Sequence, residues 1–417
     1  MLSFFEPLAA LAPLITVLPI VGQASACAGL QPRSSARWIA AMGLTLSLGA
    51  SLLSTSNTIG HMPMVLFAAL ALITVLVLPR QDCTPKEIAS LLLVAAGTQT
   101  VYAANNEWLL LAGYLAATLP FFDRRSPLGS VLLAVSGALL AGAIESGAFW
   151  LLAGAIAVGK GLFPFQSSIT SLFERKPLGT AALLFNAHLG AFLLMRLAGP
   201  SAVEWLPLAG TVALGATVCT ALIALIETQP RRILALVVSS QAGCILAGLA
   251  TSSAQSVQGA LMQWMVVGLA STGMLTVYRL IEVRYGAAIT GRDFLGLAER
   301  FPRLAVFFAA CALAMVGLPG TLGFLAEDLL IHGLLETHSY VGMLQPLAAA
   351  LNAVTLLRLF STLFLGRRVQ GLEAIPDALP RERWPLAALI VLLVAGGLVP
   401  SYIIATWPAA SWLRPPF

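Results

Sequence analysis

An all-α polytopic membrane protein with about fourteen transmembrane helices is the fold this sequence predicts, on three observations. The first is composition. Of 417 residues, 59% are hydrophobic and only 10% charged, and mean hydropathy is +0.90; soluble domains run near ~45–50% apolar and ~25% charged. Lipid must therefore solvate most of the chain. The second is the length of the apolar runs, many of them close to the roughly 20 residues a helix needs to cross about 30 Å of hydrocarbon. The third is loop charge, whose alternation counts crossings independently of hydropathy.

In chain order the spans fall at 8–30, 38–55, 63–79, 88–104, 108–122, 127–144, 148–172, 178–197, 206–226, 233–251, 258–281, 303–337, 340–366 and 384–406, with the seventh and twelfth interrupted. The first lacks a basic leader and an Ala-x-Ala cleavage site, so it reads as a retained helix rather than a removed signal peptide. The longest polar stretches, 282–303 and 367–383, are too short for a core of their own, and no soluble domain is expected.

Loop charge tests that order. One set of alternate loops carries Arg33, Arg37, Arg80, Lys86, Arg124, Arg125, Arg175, Lys176, Arg231, Arg232, Arg279, Arg284, Arg292, Arg300, Arg303, Arg367, Arg368, Arg381 and Arg383, nineteen of the 23 basic residues. The opposite face holds only Arg196 and Arg414, and Lys160 and Arg358 lie within spans. The positive-inside rule makes the nineteen cytoplasmic and, with an even number of spans, puts both termini outside, as in a bacterial-type inner membrane. A single miscounted helix would scramble this partition. The net charge of +5 is no nucleic-acid footprint, because the basic residues sit in short loops and form no stripe with aromatic partners.

The seventh span contains the most informative residue, Lys160, in Ile156-Ala-Val-Gly-Lys-Gly-Leu-Phe-Pro-Phe165. A charge at membrane depth costs at least about 2.5 to 3.5 kcal/mol, so a lysine between Gly159 and Gly161, with Pro164 four residues on, points to an ion pathway. The alternative is a lysine that snorkels to the interface. The twelfth span repeats the design: Pro319 and Gly320 interrupt it, and Glu327 and Asp328 follow. Paired broken helices at corresponding places predict two inverted repeats whose breaks line a polar cavity. The two carboxylates either serve that cavity or end a helix at an interface. Adjacent helical residues diverge by about 100°, so at most one of them faces the cavity.

Softer signals lie elsewhere. His188, beside Asn186 in the eighth span, can relay protons or bond a neighbouring helix. Gln241, Gln263, Ser271 and Asn352 read as interhelical hydrogen-bond partners, and Arg358 as a residue that snorkels or pairs with a buried carboxylate. Cys27, Cys83, Cys219, Cys244 and Cys311 are widely spaced and read as small buried hydrophobes, with no metal-ligand spacing. No dinucleotide fingerprint, P-loop, zinc motif or Cys/His dyad occurs, so no cofactor and no catalytic site of its own is expected.

Three motifs carry a family resemblance. Gly159-Lys-Gly-Leu-Phe-Pro-Phe165, with Pro177 and the run to Leu193-Leu-Met-Arg196, is similar to a G-K-x-A-x-x-P stretch followed by a P-V-S-A-L-L-type helix. Arg231-Arg-Ile-Leu-Ala-Leu-Val-Val-Ser-Ser-Gln-Ala-Gly243 resembles K-R-x-L-A-Y-S-S-I-x-x-x-G, and Gly317-Leu-Pro-Gly-Thr-Leu-Gly-Phe-Leu-Ala-Glu-Asp328 resembles G-L-P-P-x-x-G-F-x-x-K-D. Together, over roughly 90–366, they resemble the antiporter-like proton-translocating subunits of respiratory complex I, membrane-bound hydrogenases, Mrp-type cation/proton antiporters and inorganic-carbon uptake complexes. The resemblance implies N-terminal spans in 1–87, a first repeat in 88–200, a second in 201–366, and a cytoplasmic loop, last span and external tail in 367–417.

It also implies a proton path through Lys160, His188, Glu327, Asp328 and Arg358, with breaks at Gly159, Gly161, Pro164, Pro319 and Gly320. The departures matter. Leu115 stands at the fifth-span glutamate of the family, Gln263, Val267 and Ser271 replace two histidines and a lysine of the eleventh span, and Glu327 takes the place of a twelfth-span lysine. The implied function is a membrane subunit conducting protons or another monovalent cation, driven by redox chemistry or energy-coupled CO2/bicarbonate uptake in partners. Those partners would include other membrane subunits and either a cytoplasmic redox module or a zinc-bearing, carbonic-anhydrase-like subunit. The alternatives are a free-standing or Mrp-type antiporter and a non-conducting structural subunit.

Overall fold

The computed structural model describes residues 13–14, 17, 20, 33–53, 60–122, 127–199, 202–251, 253–286, 289–337, 340–367 and 375–401, with 33, 34 and 53 described by backbone alone. Most of the expected first span, together with Cys27, Arg124, Arg125, Arg368, Arg414 and the Arg33 side chain, lies outside the described residues.

Among the described residues every regular element is helical: α1 (Arg33–Leu53), α2 (His61–Val77), α3 (Pro85–Ala103), α4 (Glu107–Thr118), α5 (Pro127–Ser146), α6 (Phe149–Lys160), α7 (Ser167–Arg175), α8 (Leu178–Asn186), α9 (Leu189–Leu197), α10 (Leu206–Ile226), α11 (Pro230–Leu249), α12 (Ala254–Tyr285), α13 (Pro302–Met315), α14 (Leu322–Thr337), α15 (Leu344–Phe364) and α16 (Pro380–Leu398). Local chemistry sets their starts. Thr84 and Asn106 accept the Glu87 and Leu109 amides and so cap α3 and α4, and Pro85 occupies the first turn, where its missing N–H costs nothing. α5, the α8–α9 pair, α10, α11, α12 and Val341–Phe364 are each long and apolar enough to cross a membrane. With the shorter apolar helices beside them, they describe a multi-pass membrane protein.

α11 and α12 form the buried centre. Around α12 pack α11, α13, α14, α8 and α16, and the approach of α14 is close because a side-chain carbon at Gly259 would strike the Leu330 amide and the Ala326 carbonyl. Small residues at such contacts let helices associate in lipid, where apolar surface alone gives no preference for a neighbour over a lipid tail. The outer helices turn apolar side chains outward, Val131 on α5, Ile226 on α10, Leu357 on α15 and Val391 on α16, as a lipid-facing surface requires.

The two expected interruptions are present and close in the same way. At the first, the Gly161 amide bonds the Val158 carbonyl and the Leu162 amide bonds that of Ala157; at the second, Gly317 bonds Ala314 and Leu318 bonds Leu313. Both glycines are left-handed, at φ +62° and +74°, the geometry of a Schellman cap. Gly320 is left-handed too, at φ +88°. The eighth span, expected as one helix, is a correction: it is broken between α8 and α9. His188 adopts φ +47° without being glycine, and the Tyr102 hydroxyl donates to the Ala187 carbonyl, taking up an acceptor that the turn exposes.

Candidate functional site

Lys160 is the last residue of α6 and is buried. Its ammonium donates to the Phe185 carbonyl at 2.9 Å and lies 5.8 Å from the Phe185 ring centre. That carbonyl is near the end of α8, where the turn puts the His188 amide on it at 3.3 Å in place of the amide of a continuing helix. Among the described residues no carboxylate comes within ion-pair distance of Lys160. A cavity of about 20 Å³ adjoins it, and Tyr114, Thr118 and Lys160 are the polar side chains in its wall. Leu115, the neighbour of Tyr114, is turned outward and 43% exposed.

His188 is buried against Trp264, ring centres 6.0 Å apart, and its Nε2 finds no hydrogen-bond partner among the described residues. From α11, the Ser239 hydroxyl reaches back to the break, 3.3 Å from the Lys160 carbonyl and 2.8 Å from that of Gly161.

The next polar groups are neutral and mutually bonded. Gln263 donates to Gln241 at 2.8 Å, Ser271 to Asn186 at 2.7 Å, Asn186 to Thr272 at 2.9 Å, and Asn352 to Ser240 at 2.9 Å. At the second break Glu327 folds back over Gly317, where a side-chain carbon would meet its Oε2 at 2.5 Å, and its buried Oε1 has no partner among the described residues. Pro319 and Gly320 lie in the connection between α13 and α14. Asp328 points away: it is half-exposed and sits 3.5 Å from His332 on the outer face of α14. Arg358 joins neither break. Its guanidinium donates to the Ala224 and Glu227 carbonyls, at 3.3 and 2.5 Å, closing the end of α10.

Sequence reasoning missed the charged cluster at the basic end. Arg279 makes two 2.7 Å bonds to Asp82 and one of 2.9 Å to Glu282, and Arg231 grips Glu282 with two more of 2.7 Å. Arg231, Arg279 and Glu282 line an open vestibule of about 1060 Å³. Arg279 also lines an inner crevice of about 20 Å³ with Thr272, which bonds Asn186, the residue after Phe185. Tyr114, Ser136, Ser239 and Thr272 carry no distinguishing sequence signal, because single hydroxyls are common in spans.

A family model described as "NADH:quinone oxidoreductase/Mrp antiporter, TM" matches residues 125–351. NADH-quinone oxidoreductase subunit M of Mycobacterium tuberculosis is 27% identical over 256 residues, 60% of this chain and 46% of that protein. The match thus spans about half of that relative's length. A chain of respiratory complex I from Thermus thermophilus superposes with a TM-score of 0.77 at 20% identity, covering 97% of this chain and 100% of that one. A chain of the Mrp complex from Dietzia superposes at 0.79 and 18% identity, covering 98% of each. At those identities the superpositions show a shared fold.

Proposed function

This chain belongs to the NADH:quinone oxidoreductase/Mrp antiporter transmembrane family, and from that premise we propose that it is a membrane subunit of a multi-subunit complex, conducting protons or another monovalent cation along a buried polar path. The observation that carries the reading is Lys160, a buried ammonium at a helix break, held by one carbonyl and a water-sized cavity rather than by a carboxylate. Such a group is costly in lipid and is retained where it binds or passes charge. The driving chemistry resides in partner subunits, either redox reactions or energy-coupled CO2/bicarbonate uptake. The matching Schellman caps support two inverted repeats, and the basic loops support fourteen crossings with both termini external.

One observation favours a second reading, a non-conducting subunit. The central side chains pair as neutral amides and hydroxyls, which hold no excess proton, and Gln263 Oε1 and Asn352 Oδ1 find no partner among the described residues. One experiment separates the two. The complex is purified through a tag on this chain, its subunits are identified by mass spectrometry, and proton flux is measured in liposomes. Lys160→Ala should abolish flux while leaving the subunit composition unchanged; undiminished flux rejects conduction through Lys160 and leaves the structural reading.

A further inference from the structure

We propose that Tyr114 is the positioning residue that solvates the Lys160 ammonium, its phenol oxygen accepting from a single water held between them. The inference rests on the conducting role proposed above and adds a residue to it.

Proton counting fixes the direction of the bonds. Ser136 has one hydroxyl proton and donates it to the Ala155 carbonyl at 2.7 Å. The 2.7 Å contact between Tyr114 and Ser136 must then be donated by the phenol. Tyr114 Oη is therefore left as an acceptor, polarised by the chain Tyr114 to Ser136 to Ala155 carbonyl. Lys160 has three donors and one of them is placed, on Phe185.

The cavity between them is the right size. A site of roughly 10–15 Å³ by this measure holds one water if two to four polar groups surround it, and this one measures about 20 Å³ with Lys160, Tyr114 and Thr118 in its wall. Thr118 gives its own proton to backbone carbonyls of α4, so its oxygen also presents lone pairs. Gly159 makes the arrangement fit: a side-chain carbon there would lie 2.6 Å from Tyr114 Oη and 2.7 Å from Ser136 Oγ. The side chain next to Lys160 in sequence is thus absent at the place where the phenol arrives.

The arrangement differs from an ion pair in kind. A carboxylate would bind the ammonium with a full charge, whereas a phenol and a water stabilise it by oriented dipoles and leave its proton easier to release. The groups facing Lys160 are Tyr114 from α4 and the Phe185 carbonyl and His188 from the α8–α9 turn, while the Ser239 hydroxyl from α11 bonds its backbone carbonyl; of these Tyr114 and His188 titrate.

The test uses the whole complex in liposomes, with proton flux read across a pH series by an internal dye. Tyr114→Phe keeps the ring and removes the acceptor. The phenol stabilises the ammonium at one remove, through the water, and its loss is expected to cost about tenfold, or about one pH unit. The expected result is flux reduced about tenfold at neutral pH and a profile moved about one unit toward acid. Ser136→Ala retains the phenol but releases its proton to point elsewhere, and should also move the profile. Wild-type flux and an unmoved profile in assembled Tyr114→Phe complex overturn the proposal, as does an unmoved profile in Ser136→Ala should Tyr114→Phe fail to assemble. If Lys160→Ala abolishes flux while both hydroxyl variants behave as wild type, the conducting role stands and this inference fails. If Lys160→Ala conducts normally, both fail.

Discussion

The Glu327 carboxyl group occupies the space that a side chain on Gly317 would fill. The two residues lie on opposite sides of the second helix break, so the left-handed glycine serves two ends: it closes α13 and it makes room for an acidic group.

Gly317→Ala should therefore do two kinds of damage. Forcing a side chain into the left-handed region costs about 1–2 kcal/mol, and the methyl group would also displace the carboxyl. The midpoint of denaturant unfolding in detergent should fall accordingly. The loss should be smaller in a Glu327→Ala background, where nothing is displaced; equal losses in the two backgrounds would show that the contact has no energetic weight.

Glu327 and Asp328 should part company in transport. Glu327 faces the break and has a buried oxygen without a partner among the described residues, whereas Asp328 is half-exposed beside His332. Glu327→Gln is expected to lower flux strongly and Asp328→Asn to leave it near wild type. Equal, small effects in assembled complexes would reduce both carboxylates to helix-end residues.

Arg279 ties α12 to Asp82 and shares Glu282 with Arg231. Removing it strands the largely buried Asp82 and leaves Glu282 to Arg231 alone, so Arg279→Ala should destabilise the protein by about 2–3 kcal/mol. Arg279→Lys keeps the charge but not the two-pronged grip on Asp82, and should fall between. Unfolding in detergent reads both, and a neutral Arg279→Ala would contradict the assignment of this cluster as a brace.

Topology can be checked at Arg292, which lines the vestibule at the basic end. With a cysteine at that position in a background lacking the native ones, a membrane-impermeant thiol reagent should label inverted vesicles and spare intact cells. Efficient labelling of intact cells would reverse the orientation.

The breaks at Gly161 and Gly317 were legible because glycine and proline announce them. The turn at His188 was not: nothing in Asn186-Ala-His188 is a helix breaker, and the conformation is held by Tyr102, 85 residues from Ala187 in sequence. Lys160 stood out as a charge among apolar residues, but its surroundings did not. Tyr114 of α4 lines its cavity and Ser239 of α11 bonds its backbone carbonyl, and sequence spacing carries no record of such approaches. Arg358 shows the same limit. Its expected outlets were the interface or a carboxylate, and it found the backbone carbonyls at the end of α10 instead. The Asp82–Arg279 pair spans 197 residues, and only the folded chain brings those charges together.

Ser239, Ser240 and Gln241 follow one another on α11, and each bonds a different neighbour: the carbonyls at the Lys160 break, Asn352 of α15 and Gln263 of α12. Successive residues on a helix point about 100° apart, so these three bonds leave α11 on three different sides. The helix therefore works as a keyed shaft. It cannot turn or slide at the first break without straining its bonds to α12 and α15, in the second half of the chain.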